Sequence, residues 1–119
     1  MEARGFEFEK LDVYHVALEF YDSARRIIRT CPLEYGEEKD QLRRAALSIL
    51  LNICEATGEF SNKEQVRFFR MSLRSTCECA GLVMLFIHDF GKRQDLQAAH
   101  DLLLRLVAML TGLVKYNIR

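Results

Sequence analysis

Apolar residues return along this chain at steps of three and four, and four stretches keep that rhythm long enough to predict helices over about 8–31, 38–57, 61–90 and 95–116. The organising stretch is Gln41 to Ser61. At 100° per residue, Gln41, Arg44, Ser48, Asn52, Glu55 and Glu59 fall within about 80°, and apolar side chains cover roughly 240° of the remainder. A surface helix in a monomer needs an apolar stripe of roughly 100° or a little more. The excess predicts burial on two sides, against the chain's own core and against another molecule. Leu47, Leu50 and Leu51 on this helix, with Phe68, Phe86 and Phe90 on the next, are the candidate oligomer interface.

The punctuation between helices agrees with that pattern. Cys31-Pro32 stops the first helix, because the residue before proline is pushed out of the helical region. Glu37, Glu38 and Asp40 suit the positive end of the second helix dipole, as Arg25, Arg26 and Arg29 suit the negative end of the first. Gly58 stands where a left-handed residue would close a helix. Ser61-Asn62-Lys63-Glu64 reads as a reciprocal capping box. Residues Met1 to Glu7 read as a frayed or short extended lead-in.

Each helix has an expected core stripe. On helix one it is Val13, Ala17, Phe20, Ala24 and Ile27, with Leu11, Tyr14, Leu18 and Tyr21 beside it. On helix three it is Val66, Phe69, Leu73, Cys77, Ala80, Met84 and Ile87, with Gly81 expected at a close helix approach. Helix four carries a coiled-coil-like seam of Leu96, Ala99, Leu103, Leu106, Leu110 and Leu113. Short links between four helices imply one all-α domain over 1–119, an up-down-up-down antiparallel four-helix bundle that self-associates.

Composition narrows the function classes. Lys plus Arg equals Asp plus Glu at 17 each, so no net field draws nucleic acid or anionic lipid. The opening MEARGFEFEK has no apolar signal region, and charges interrupt the apolar runs before a bilayer-spanning length of about 20 residues. The expectation is a cytoplasmic protein with no membrane association. Cys31, Cys54, Cys77 and Cys79 have neither chelating nor disulfide spacing and are expected to be reduced, mostly buried small hydrophobes. His15, His88 and His100 lie on three different helices, and no Glu is followed by His three residues later, as a di-iron bundle requires. Metallohydrolase, nucleophile-elbow and phosphate-loop patterns are missing. Neither catalysis nor a cofactor or metal is expected.

One charged constellation stands out. Lys63, Arg67, Arg70 and Arg74 lie within about 80° on helix three. The hairpin geometry predicts a structural polar network in which Asn52 and Glu55 pair with Arg67 or Arg70 and set the register of helices two and three. The competing reading makes those four cations candidate nucleic-acid contacts.

Several stretches carry a family resemblance: Phe8-Glu9-Lys10-Leu11-Asp12-Val13-Tyr14 with Ala17, Gln41 through Ile49, Asn52-Ile53 with Glu55, Gly58 with Phe60-Ser61, and Arg67-Phe68-Phe69-Arg70 with Ser75 and Glu78. Over roughly Phe8 to Leu85 the chain resembles the four-helix-bundle family encoded by intervening sequences of 23S ribosomal RNA genes. It departs where the family has Pro-Ala before the Asn and this chain has Leu50-Leu51. It departs again at Cys54-Glu55-Ala56, for Ala-Glu-Gly, and at Glu59, for a basic residue. The resemblance implies a bacterial, non-enzymatic homo-oligomer, with a pentamer as the expected assembly. A distant branch resembles a basic barrel that assists a reverse transcriptase and binds nucleic acid, a branch this neutral chain matches poorly. The expected role is an assembly or scaffold protein, and the alternative is an RNA-binding or reverse-transcriptase accessory using the basic stripe.

Overall fold

The structure, a computed structural model, describes residues 5–116. A 3-10 turn over Glu7–Lys10 precedes four helices: α1 (Asp12–Thr30), α2 (Gly36–Thr57), α3 (Asn62–Phe90) and α4 (Gln94–Tyr116). No strand occurs among the described residues. Of the expected lead-in, Met1 to Arg4 lie outside them. Helix α1 starts four residues later than the periodicity suggests, because Leu11 is extended at φ −90° and ψ 129° and separates the 3-10 turn from the helix.

Each helix packs against the next one in sequence and α1 closes on α4, while across either diagonal no Cα atoms of the described residues come within 8 Å. Cross-helix partners run in opposite directions. Ser72 meets Ile49 while Ser75 meets Ser48, and Arg93 reaches Thr30 at one end of α1 while Leu11 and Val13 share a cleft with Met109 and Leu113 at the other. The result is an antiparallel four-helix bundle in which α1 runs parallel to α3. One end gathers the start of α1, the α2–α3 link, and the end of α4.

The core follows the expected stripes on α1 and α4. Val13, Ala17, Phe20, Ala24 and Ile27 are buried, as are Leu96, Ala99, Leu103, Leu106 and Leu110. On α3 the buried row is Val66, Phe69, Ser72, Thr76, Cys79, Val83 and Phe86, one position away from the expected row for most of its length. Cys77 and Met84 are exposed, while Leu73, Ala80 and Ile87 are only half-buried. The physical reason is hydrogen bonding. Ser72 and Thr76 can face inward because each hydroxyl donates 2.8 Å to a carbonyl, so their burial leaves no donor unsatisfied.

Three local expectations are corrected. Gly58 keeps right-handed geometry (φ −85°, ψ −7°), and its N–H bonds the Glu55 carbonyl, tightening the last turn of α2. The left-handed terminator is Gly91, at φ 83° after α3. Only half of the capping box forms. Ser61 Oγ accepts from the Glu64 N–H at 3.1 Å, but the Glu64 carboxylate accepts instead from Arg67 Nε. Gly81 is exposed, and a Cβ placed there meets nothing within 4 Å, so no helix approaches it closely.

The far end is tied by aromatic and polar contacts. The Tyr35 ring meets Phe86 and Phe90 edge-on, and its hydroxyl donates 2.9 Å to Asp89, which also contacts His88. Those bonds hold the Asp89 carboxyl below its ordinary value, His88 contributing most. Helix α4 is long and apolar enough to cross a bilayer by length and composition, since Asp101 and Arg105 are its only charged residues between Ala98 and Val114. That corrects the expectation of earlier interruption. In the bundle its leucine seam is buried against α1 and α3.

Two predictions follow from this packing. Gly81→Ala should raise stability in urea by up to about 1 kcal/mol, because alanine is the better helix former and the site is open; a loss would reveal a close neighbour. In native protein a thiol reagent should label Cys77 rapidly and Cys79 only on unfolding, since Cys79 is fully enclosed and burial drives its thiol well above the ordinary range. Equal labelling rates would contradict the packing of α3.

Candidate interaction surface

The α2–α3 seam is built from small polar residues. Ser48 and the Ile49 carbonyl on α2 face Ser72 and Ser75 on α3. Ser72 Oγ donates 2.8 Å to the Ile49 carbonyl, and Ser75 Oγ donates 2.8 Å to Ser48 Oγ. Asn52 Nδ2 donates back along its own helix, to the Ser48 carbonyl at 2.9 Å and to Ser48 Oγ at 3.0 Å. A hydroxyl reaches a facing backbone only when the helices are close, and the short side chains permit that approach.

The expected network of Asn52, Glu55, Arg67 and Arg70 does not form. Among the described residues, no hydrogen bond or ion pair joins Asn52 or Glu55 to Arg67 or Arg70. Glu55 is exposed, and Arg67 pairs with Glu64 at 3.1 Å within α3 while stacking over Phe68 at 4.8 Å. The cause is rotational. By the 100° count, Arg67, Arg70 and Arg74 lie about 80–140° around α3 from Ser75, which faces α2. They point away from the seam, so the serines carry the register instead. That role was readable in principle: Phe69, Ser72, Thr76, Cys79, Val83 and Phe86 continue one row at steps of three and four, but two polar members disguise it.

The candidate interface residues divide. Phe86 is fully buried in the chain's own core, where it stacks near Phe90 at 6.0 Å, so it cannot meet a partner. Phe68 and Phe90 are half-buried and pack against that core. The α2 leucines behave as the apolar excess predicts: Leu47 is 40% and Leu51 51% exposed, and Leu50 and Cys54 are half-covered beside them. Leu18 of α1, a neighbour of α2, is also exposed.

The basic stripe is a real surface feature. Lys63, Arg67, Arg70 and Arg74 are all exposed, and among the described residues only Arg67 has an acidic partner. A second stripe, of acids, runs along α1. Asp12, Glu19 and Asp22 are exposed on one arc of α1, with no hydrogen-bond or ion-pair partner for their side chains among the described residues. Its signal is the recurrence of acids at steps of seven and three outside the apolar stripe. Near the start of α1, Leu11, Val13, Met109, Leu113 and Tyr116 border an open apolar cleft of about 420 Å³. Phe60, in the α2–α3 link at the same end, is fully exposed. Among the described residues no group of three or more His, Cys, Asp or Glu side chains could hold a metal.

If the serines set the register, Ser72→Ala should cost about 1 kcal/mol, the net worth of a typical hydrogen bond, in urea unfolding. Glu55→Gln and Arg67→Met should each stay within about 0.5 kcal/mol, as surface changes do, and should add in the double variant. A strong non-additive coupling between Glu55 and Arg67 would overturn the assignment.

Comparison with known proteins agrees with this architecture. A crystal structure of a protein described as of unknown function, from the S23 ribosomal protein family of Bacteroides thetaiotaomicron, superposes with a TM-score of 0.76 at 19% identity, covering 87% of this chain and 98% of that one. At that identity the likeness concerns the fold. No curated protein matches. Residues 9–112 match the family model described as 23S rRNA-intervening sequence protein. A match over so much of its length places the chain in the 23S rRNA-intervening sequence protein family.

Proposed function

We propose that this chain is a non-catalytic assembly protein, a cytoplasmic homo-oligomer whose bundle presents surfaces rather than an active site. The observation that carries the reading is the exposed leucine face of α2. Leu47 and Leu51 stand out from a helix whose opposite side is already full, with Leu42, Ala46, Ile49 and Ile53 buried. Apolar area left in water costs roughly 25 cal/mol per Å², and contiguous apolar patches on soluble proteins mark interaction sites. The missing Pro-Ala at Leu50-Leu51 enlarges that face relative to the family pattern, because both positions carry leucine.

The family resemblance supports a homo-oligomer, with five subunits as the expected count. Light scattering at micromolar concentration should return a multiple of the 13.9 kDa chain mass. Leu47→Ser with Leu51→Ser should lower that multiple while leaving helical circular dichroism intact. A wild-type mass of 13.9 kDa would end the reading.

A second reading, a nucleic-acid or reverse-transcriptase accessory, draws on the exposed stripe of Lys63, Arg70 and Arg74. The balanced charge of the chain weighs against it. Structured RNA titrated at two salt concentrations separates the two, because phosphate contacts weaken steeply as salt rises.

A further inference from the structure

The geometry points to a specific contact between copies: the basic stripe of α3 in one copy lies along the acidic stripe of α1 in the next, in parallel, with Phe60 seated in the neighbour's α1–α4 cleft. This inference rests on the self-association proposed above and adds the faces and the direction.

Spacing and sign carry the pairing. On α1, Asp12, Glu19, Asp22 and Arg26 are exposed and share an arc of about 80°. On α3, Lys63, Arg70, Arg74 and Glu78 are exposed on its outer side. At 1.5 Å per residue, the α1 charges stand at about 0, 10, 15 and 21 Å from Asp12, and the α3 charges at about 0, 10, 16 and 22 Å from Lys63. The signs oppose at every level, and both stripes reverse sign at the fourth position. Between the first and second levels, Arg67 is already paired with Glu64, and facing it His15 is occupied by the Glu9 carbonyl at 2.7 Å. Neither leaves an unmatched carboxylate.

The orientation follows from the bundle. Helices α1 and α3 run the same way and no Cα atoms of the two come within 8 Å, so they lie at opposite corners. Copies related by rotation about an axis along the bundle keep their helices parallel. Each then offers α3 to one neighbour and α1 to the other, a heterologous contact that can close into a ring. In an isologous dimer through either stripe alone, like charges would meet.

The apolar pair provides a separate check on the same register. Phe60 lies three residues before Lys63, and its ring is fully exposed. The cleft bordered by Leu11, Val13, Met109, Leu113 and Tyr116 surrounds Asp12, the residue set opposite Lys63. Aligning the charges therefore brings the link that carries Phe60 to the end of the neighbour's bundle at which the cleft opens. The α2 leucines lie on a different face, so substitutions there and in the stripes read different contacts.

Charge exchange tests the pairing. One variant carries Glu19→Lys and Asp22→Lys, and the other carries Arg70→Glu and Arg74→Glu. Each alone should lower the mass seen by light scattering at a concentration where wild type is assembled, with helical circular dichroism retained. A chain carrying all four changes should reassemble, because its basic α1 then faces the next copy's acidic α3 at every contact. Phe60→Ser should raise the midpoint concentration of assembly at least tenfold. A monomeric wild type would overturn both the assembly reading and this contact. Variants of unchanged mass, or a four-change chain that assembles no better than they do, would overturn the contact alone. So would loss of structured-RNA binding by the Arg70→Glu, Arg74→Glu variant at unchanged mass, which would assign the stripe to phosphates.

Discussion

The bundle depends on the close seam between α2 and α3. Ser72 reaches across the helix boundary to the Ile49 carbonyl, and Ser75 meets Ser48 hydroxyl to hydroxyl. Such bonds exist at only one register, because a slip of one residue would bury the Ser72 hydroxyl with no acceptor, a penalty of about 1–3 kcal/mol. Apolar packing alone would tolerate sliding far better, since cores accept many arrangements of similar volume. Once the seam is set, α1 and α4 close the square on the buried faces of their neighbours, and Tyr35 ties the distal end through Asp89.

That seam also governs what is left outside. Turning Ser72 and Thr76 inward rotates α3 by a fraction of a turn relative to its most apolar row. Cys77 and Met84 are carried into solvent, and Arg67, Arg70 and Arg74 swing to the outer face, away from Glu55. On α2 the rotation that buries Ile49 and Ile53 leaves Leu47 and Leu51 uncovered. The exposed leucines and the exposed basic stripe are thus consequences of how the core satisfied its hydroxyls. A neutral chain with segregated stripes of opposite sign suits association with a like molecule more readily than with a uniformly anionic polymer.

Much was legible in the sequence because it rests on local physics. The four helices, the Pro32 stop, the Ser61 cap, and the buried rows of α1 and α4 follow from periodicity and backbone chemistry within one helix. The surplus of apolar positions on α2 was countable before any packing was known. Family membership was legible too, since the residues that carry it are spread over three helices.

Only the tertiary structure decided which of two adjacent rows of α3 faces the core, and hence that Phe86 is interior and that Asn52 and Glu55 have no contact with Arg67 or Arg70. Periodicity records how side chains are spaced around an axis, but the rotation of that axis is set by its neighbours. Here a buried serine with an acceptor competes on equal terms with a leucine. It likewise took the fold to bring the starts of α1 and α3 to one end of the bundle on opposite corners, because their charges lie some fifty residues apart in the chain and the two helices are not neighbours.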